Sequence, residues 1–165
     1  MFRSVRIERP VPGSLFLTEM PGRYEPMDEF KAWISDLSID TVICLTPLDE
    51  IREKSEEYYH LIRSGNYPWE MVHFPIPDYG APDDPTGFLN LTREMASRIT
   101  QGGKILVHCA AGIGRTGTFA MVLLMALGTG RMDAAQEVRM AGSEPEGIGQ
   151  RALIDWCARE LGRTT

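Results

Sequence analysis

Residues 105–118 constrain the fold of this chain more than any other segment. They open with an apolar run at 105–107, typical of a parallel strand buried on both faces, and residues 116–127 are rich in helix-compatible apolar residues. The short loop between them contains Gly112 and Gly114, which allow the backbone to fold tightly. In such a unit the loop N–H groups and the positive end of the helix converge on one point. The sequence therefore predicts a binding site for a dianionic phosphate group.

The loop carries two reactive side chains, Cys109 and Arg115. A helix N-terminus and a nearby cation can lower the pKa of a cysteine by several units from roughly 8.5, which produces a thiolate nucleophile. Six residues further on, Arg115 can hold two phosphate oxygens with its planar guanidinium, whereas a lysine offers only a point charge. A buried cysteine beside a surface arginine is the structural alternative, but it leaves the glycine spacing and the helix start unexplained.

The sequence HCAAGIGRTG at 108–117 resembles the phosphate-binding loop of the cysteine-dependent protein tyrosine phosphatases, in particular the compact atypical dual-specificity and kinase-associated types. Arsenate reductases share the bare cysteine-to-arginine spacing, but they need a relay of further cysteines near the loop, which this chain lacks. The resemblance implies that Cys109 and Arg115 are catalytic. It also implies a substrate-binding set in the loop, namely Ala110, Ala111, Gly112, Ile113, Gly114 and Arg115.

The resemblance also implies supporting roles for two residues next to Cys109 and Arg115. His108 hydrogen-bonds locally in the family and tunes the adjacent thiolate, although a general base is its alternative role. The hydroxyl at Thr116 assists breakdown of the phosphocysteine in the family, whereas a plain helix N-terminal residue is its alternative role.

A general acid is predicted in the Pro- and Gly-rich segment HFPIPDYGAPD at 73–83, where Asp78 follows an apolar stretch. The segment resembles the acid loop of the same family, with Ile76 at the position where large tyrosine phosphatases carry tryptophan. Tyr79 either lines the pocket beside the acid or covers the loop. The rival carboxylates Asp83 and Asp84 are predicted to cap a helix that starts near residue 85.

Strand and helix patterns alternate along the whole chain. The predicted strands lie at 5–7, 15–17, 41–45, 71–74 and 105–108, and the predicted helices at 27–37, 49–62, 88–99, 116–127, 133–140 and 150–161. This order predicts an α/β fold with a central, mostly parallel sheet flanked by helices, and the resemblance implies the protein tyrosine phosphatase-like version. We expect a single phosphatase domain over residues 1–165, because 43% of them are hydrophobic.

Composition restricts the partners. The formal net charge of −6 argues against nucleic acid or an anionic membrane, and no apolar run is long enough to span a bilayer. The five loop residues between Cys109 and Arg115 are uncharged, whereas relatives acting on phosphoinositides tend to carry lysines there, so a phosphorylated protein is the predicted substrate. The cysteines lack metal-ligand spacing, so neither a metal nor another cofactor is predicted. A reactive thiolate and the charged residues near the N-terminus predict a cytoplasmic protein.

Two residues are ambiguous from the sequence alone. Cys44 lies near the end of the strand at 41–45, and it becomes a redox partner of Cys109 if that strand neighbours the strand at 105–108. A buried core cysteine is its alternative role. At 146–150 the chain reads EGIGQ where many relatives carry Gln-Thr-x-x-Gln or Glu-Thr-x-x-Gln, so a water-positioning glutamine is missing from the first position. Gln150 is predicted to be an ordinary N-terminal helix residue, and a contact near the loop is its alternative role.

These patterns predict a protein phosphatase that forms a phosphocysteine intermediate. The chain is too short for the segments that deepen the pocket of large tyrosine-specific members, so dual specificity with a bias to phosphotyrosine is expected. The alternative is a catalytically silent phosphopeptide-binding module, which would keep the loop and lose the acid.

Overall fold

A computed structural model describes residues 1–163, which form a five-stranded sheet with helices on both faces. The strands are β1 (Arg3–Val5), β2 (Ser14–Thr18), β3 (Thr41–Cys44), β4 (Glu70–His73) and β5 (Lys104–His108). Their order in the sheet is β1-β2-β5-β3-β4, and only β1 runs antiparallel to its neighbour. The predicted α/β fold with a mostly parallel sheet is therefore confirmed.

Residues 1–163 contain seven helices, four between strands and three after the last strand. They are α1 (Met27–Asp36), α2 (Leu48–Lys54), α3 (Glu56–Ser64), α4 (Pro85–Thr100), α5 (Gly114–Ala126), α6 (Arg131–Met140) and α7 (Gly147–Gly162). One core cluster joins side chains of α1, α2 and α3 to one face of the sheet, and the other joins α4 to α7 to the opposite face. Successive residues of β3 alternate between the two clusters, as the two-residue period of a strand requires. None of the helices within residues 1–163 combines the length and apolar character needed to cross a membrane.

Helix α5 occupies the centre of the second layer. All of its residues from Gly114 to Leu124 are buried, and the helix packs against α4, α6 and α7. A helix that is apolar on every side belongs in such a position, because no face of it gains from contact with water. The N-terminus of α5 is consequently held at a fixed place beside the end of β5.

The register of the sheet gathers three strand ends around one point. His108, the last residue of β5, pairs with Thr18 on β2 and with Cys44 on β3. The residue after it is Cys109, which places the predicted nucleophile at the C-terminal edge of the sheet, where ligands bind in parallel α/β folds.

Most element ends lie within three residues of the predicted ones, and two differences change the register or the number of elements. The first strand is Arg3–Val5 instead of 5–7, because its pairing register with β2 joins Arg3 to Leu17. The single helix predicted at 49–62 is two helices separated at Ser55, whose backbone is extended and whose hydroxyl accepts a hydrogen bond from the N–H of Tyr58. This serine cap starts a new helix.

Candidate active site

The phosphate-binding loop predicted from the sequence lies between β5 and α5. Cys109 follows the strand directly, and Arg115 lies in the first turn of the helix. Each is only 2% exposed. The first N–H groups of α5 have no partner within the helix, so the helix end contributes both donors and a partial positive charge to this pocket.

Glycine is required at position 112 of the loop. The residue has φ of +71°, and a β-carbon there would lie 2.6 Å from the carbonyl oxygen of Thr18 and 2.8 Å from the nitrogen of Glu19. Any larger residue would push the loop away from the end of β2.

The carbonyl oxygen of Gly112 is held by two donors from distant parts of the chain. Arg3 donates to it through Nη2 at 2.7 Å, and the hydroxyl of Ser143 donates to it at 2.5 Å. Arg3 also donates to the carbonyl oxygen of Ala141 at 2.8 Å and to the Ser143 hydroxyl at 3.2 Å. Burial lowers the pKa of Arg3, and attraction to Glu19 and to Cys109 opposes that shift. Neither Arg3 nor Ser143 is identifiable from the sequence, since each acts on the loop from far along the chain.

Arg115 makes four contacts through its two terminal nitrogens. Nη1 donates to Oε2 of Glu50 and Nη2 to Oε1 of the same residue, both at 2.9 Å, so the pair is bidentate. Nη1 also donates to the carbonyl oxygen of Ile76 at 2.9 Å, and Nη2 donates to Oδ1 of Asp78 at 3.2 Å. The structure thus brings the predicted acid and the predicted phosphate clamp together.

Glu50 is a functional candidate that sequence reasoning missed, because its helix reads as a charged surface helix. The hydrogen bonds from Arg115 lower the pKa of Glu50 from 4.5 to about 2, against an opposing effect of burial. Burial alone would lower the pKa of Arg115, but the hydrogen bonds to Glu50 and the attraction to Cys109, Glu50 and Asp78 together raise it. The position of Glu50 in the chain could have identified it, because Glu50 lies on the helix that follows the C-terminal end of β3.

Replacing Glu50 by glutamine is expected to reduce stability by about 3 kcal/mol at neutral pH, because Arg115 loses its buried counter-charge. The carboxylate of Glu50 has a lower pKa in the folded protein than in the unfolded chain, where the pKa is 4.5. Its contribution to stability is therefore complete above pH 4.5 and disappears as the pH falls towards 2. Urea unfolding across this range should therefore show a shallower acid loss in Glu50→Gln than in the wild type. Glu53→Gln, an exposed change on the same helix, is the matched control. Equal pH dependence in wild type and Glu50→Gln would contradict this role.

The acid loop presents Asp78 at a tight turn. The N–H of Gly80 donates to the carbonyl oxygen of Pro77 at 2.9 Å, and Tyr79 inside this turn has a φ of +57°. Oδ1 of Asp78 also accepts from the N–H of Tyr79 at 3.1 Å. The Asp78 side chain is half exposed and the Tyr79 residue is 67% exposed, so Tyr79 lies on the outside of the loop. Asp84 caps α4 by accepting from Gly87 at 2.8 Å, as predicted.

Gln150 is not an ordinary helix residue, because it makes buried contacts near the phosphate-binding loop, which is its alternative role. It is 1% exposed, and its Oε1 accepts from the Thr118 hydroxyl at 3.1 Å and from the N–H of Glu146 at 2.8 Å. Its Nε2 donates to the carbonyl oxygen of Gly80 at 3.2 Å. Gln150 thus connects α5, the start of α7 and the acid loop, an arrangement that depends on tertiary contacts and has no local sequence signal.

His108 is buried and neutral. Its Nδ1 lies 3.1 Å from the carbonyl oxygen of Cys109, which only accepts, so Nδ1 carries the hydrogen and Nε2 accepts from the Tyr58 hydroxyl at 2.7 Å. Burial lowers the pKa of His108 from 6.5 to about 4. The geometry fits the local hydrogen-bonding role expected for His108. The hydroxyl oxygen of Thr116 is buried without a hydrogen-bond partner, so it is available to a group that forms during a reaction.

Cys44 is fully buried next to the site. Its Sγ contacts the carbonyl oxygen of Thr46 at 3.8 Å, and burial raises the pKa of this thiol to about 12. Cys44 packs in the cluster beneath α1 to α3, whereas Cys109 packs in the other cluster, and both are free thiols. Within residues 1–163 no three side chains of histidine, cysteine, aspartate or glutamate form a group that could hold a metal ion.

Cys109 and Arg115 on a glycine-containing loop, with Asp78 on a neighbouring loop, thus lie together at the C-terminal edge of a mostly parallel sheet. A family model described as "Swiss Army Knife protein, DSP-PTPase phosphatase domain" matches residues 6–152. This chain therefore belongs to the DSP-PTPase family of phosphatase domains, which confirms the resemblance seen in the sequence.

Several known phosphatases are similar to this chain in sequence or in fold. The human tyrosine-protein phosphatase non-receptor type 2 is 47% identical over 49 residues, which is 28% of this chain and 12% of that protein. The kinase-associated phosphatase structure aligns with a TM-score of 0.81 at 18% identity, over 98% of this chain and 96% of that chain. Tk-PTP in its active form aligns with a TM-score of 0.69 at 24% identity, over 95% of this chain and 97% of that chain. The structural matches establish the fold.

Proposed function

We propose that this protein hydrolyses phosphate monoesters on phosphorylated proteins, foremost phosphotyrosine and also phosphoserine and phosphothreonine, through a phosphocysteine intermediate. The observation that carries the proposal is the hydrogen bond between Arg115 and Asp78 beside Cys109. It unites a nucleophile, a phosphate clamp and an acid at one sheet edge. The uncharged residues between Cys109 and Arg115 support a protein substrate over a phosphoinositide.

In the first step, Sγ of Cys109 attacks phosphorus in line with the leaving oxygen. The P–S bond forms as the P–O bond breaks, and Asp78 gives its proton to the departing phenol or alcohol. Arg115 and the N–H groups of the loop hold the three equatorial oxygens, where negative charge is concentrated. Asp78 must release Nη2 of Arg115 in this step, because all four terminal N–H bonds of Arg115 are occupied before substrate binds.

In the second step, Asp78 is ionised and takes a proton from a water molecule that attacks phosphorus. The P–S bond breaks, Cys109 leaves as a thiolate, and inorganic phosphate is released. The unpartnered hydroxyl of Thr116 supports this step, since a donor near the departing sulfur stabilises the thiolate. His108 is uncharged over the pH range above about 4, so it assists by orientation and not as a cation.

The test of this function is metal-free hydrolysis of p-nitrophenyl phosphate and of phosphotyrosine, phosphoserine and phosphothreonine peptides. We expect turnover of all four, fastest with phosphotyrosine, in the presence of a chelator. An inactive wild type that still binds phosphopeptide would replace the proposal with a phosphopeptide-binding module.

Replacing Asp78 by asparagine should lower kcat for the peptides by about 10²- to 10³-fold, since the leaving alcohol loses its proton donor. The substrate KM should not rise, because a carboxylate that competes for Arg115 is removed. Asp83→Asn, on the same segment, is the matched control. An Asp78→Asn enzyme with wild-type kcat would remove Asp78 from the mechanism.

We also propose that the enzyme is located in a reducing compartment such as the cytoplasm.

A second proposal concerns Cys44 as a redox partner of Cys109. The Cα register of Cys44 opposite His108, the residue before Cys109, supports the pairing. The two thiols pack in clusters on opposite faces of the sheet, so the loop must rearrange for the sulfur atoms to meet. Peroxide would oxidise Cys109 to a sulfenic acid, and the Cys44 thiol would displace water to form the disulfide. Intact mass should then fall by two hydrogen atoms in wild type and not in Cys44→Ser. Peroxide-treated wild type that gains oxygen on Cys109 without this loss would contradict the pairing.

A further inference from the structure

Four large apolar side chains form an exposed rim around the candidate active site. Within residues 1–163, seven large apolar side chains are exposed, and four of them lie on the segments that surround Cys109. These four are Tyr24, Tyr79, Ile113 and Ile148. Scattered exposed apolar residues need no explanation, but a group of them beside a binding site indicates an interaction surface.

Three members of the rim lie on the side of the acid loop. Ile113 belongs to the phosphate-binding loop itself, and Tyr79 follows Asp78, which contacts Arg115. Ile148 lies in the first turn of α7 and is 89% exposed. A β-carbon on the preceding residue, Gly147, would lie 3.5 Å from the carbonyl oxygen of Tyr79, so the two segments are in direct proximity.

Tyr24 lies on the opposite side of the phosphate-binding loop. Its neighbour Arg23 donates through Nη1 to the carbonyl oxygen of Ala110 at 3.0 Å, and the Arg23 guanidinium lies 4.7 Å from the centre of the Tyr24 ring. Tyr24 follows β2 and Tyr79 follows β4, and these strands lie on opposite sides of β5. A polypeptide whose phosphorylated residue reaches Cys109 therefore has apolar rim residues on both sides of it.

Carboxylates lie beside the rim. The N–H of Glu144 donates to the carbonyl oxygen of Ile113 at 3.3 Å, and the carboxylate of Glu146 lies against Gly114. Both residues lie on the short segment that precedes Ile148 in the chain. Acidic residues that flank a phosphorylated residue would meet these like charges, whereas apolar residues would bury surface against the rim.

We propose that the rim selects protein substrates with apolar residues flanking the phosphorylated residue and disfavours those with acidic flanks. The inference rests on the proposed phosphatase function and specifies its substrate class. A lipid surface is the other class of partner with apolar character, but the net charge of −6 and the rim carboxylates repel anionic headgroups.

The test compares three phosphotyrosine peptides of equal length, with leucine, glutamine or glutamate on both sides of the phosphotyrosine. We expect kcat/KM to fall in that order, with leucine about tenfold above glutamine, equivalent to about 1.4 kcal/mol. The leucine-to-glutamine ratio compares uncharged peptides and isolates the apolar contact. In the double variant Tyr24→Ser, Ile148→Ser this ratio should fall below about twofold, because one apolar side chain is removed from each side of the phosphorylated residue while Tyr79 and Ile113 remain.

Met132→Ser is the matched control, because Met132 is 86% exposed but lies on α6 and outside the rim. It should keep the wild-type ratio. A wild-type ratio near one, or a ratio that the double variant preserves, would overturn the rim proposal. Sedimentation of the wild type with phosphatidylcholine–phosphatidylserine vesicles, lost in the double variant, would also overturn it in favour of a membrane role.

Two further readouts separate this proposal from the phosphatase function. p-Nitrophenyl phosphate has no residues that could contact the rim. If the protein hydrolyses this substrate but hydrolyses the three peptides at equal rates, the rim proposal has failed and the phosphatase function has not. If the wild type hydrolyses no phosphoester, fluorescence anisotropy with Cys109→Ser gives the affinities of the same peptides. The leucine peptide must then bind about tenfold more tightly than the glutamine peptide, and equal affinities overturn the rim proposal.

Discussion

Replacing Cys109 by serine should abolish hydrolysis of every phosphoester, with a loss in kcat of at least about 10⁴-fold. A serine hydroxyl is not ionised at neutral pH, so no thiolate is available to form the P–S bond. The loop donors and Arg115 are unchanged, and phosphate binding should therefore persist. Steady-state hydrolysis of p-nitrophenyl phosphate and calorimetric titration with inorganic phosphate measure the two halves of this prediction.

Cys157→Ser is the matched control for that change. Cys157 is also a buried free thiol, but it lies in α7 and away from the loop. Thermal unfolding of both variants shows whether serine is tolerated in the core. A folded Cys109→Ser protein with residual turnover near the wild-type level would require another nucleophile.

Replacing Arg115 by lysine should reduce kcat/KM by about 10²- to 10³-fold and weaken phosphate binding as well. The structure explains why the substitution is not conservative. The guanidinium uses both terminal nitrogens to pair with Glu50 and still contacts Ile76 and Asp78, a geometry that the single nitrogen of lysine cannot reproduce. Glu50 would also keep a buried charge without its bidentate partner.

Arg98→Lys provides the control for that prediction. Arg98 also pairs with two carboxylates, Glu70 and Glu94, but these ion pairs lie at the surface away from the loop. The substitution Arg98→Lys should change the free energy of unfolding by less than about 1 kcal/mol and leave hydrolysis intact. An Arg115→Lys enzyme whose kinetics match those of Arg98→Lys would show that the bidentate geometry is dispensable.

The parts of this site that the sequence predicts are local in the chain. Cys109, Arg115 and the turn at Gly112 lie within one strand, loop and helix, where spacing alone determines which groups face the same point. The loop that carries Asp78 was predictable because proline and glycine mark it. In the structure this loop crosses the end of β3, where the N–H of Ile76 donates to the carbonyl oxygen of Leu45, and reaches Arg115.

The parts that the sequence does not predict depend on distant contacts. Glu50 resembles any charged helix residue until β3 is placed beside β5, and Tyr58 resembles a core aromatic until its hydroxyl meets His108. The break at Ser55 was missed because a serine inside a charged helical pattern is a weak signal without its capping partner. The orientation of Gln150 likewise depends on how α7 packs against α5.

The two donors that hold the carbonyl oxygen of Gly112 affect the order in which the protein can fold. Arg3 lies 109 residues before this glycine and Ser143 lies 31 residues after it. Contacts between such distant parts of a chain form late, because the entropy of closing long loops must be overcome first. The loop therefore reaches its final shape only after the first strand and the segment that follows α6 have both docked. During refolding, recovery of phosphate binding should lag behind the formation of secondary structure, which makes ligand binding a reporter of the completed native state.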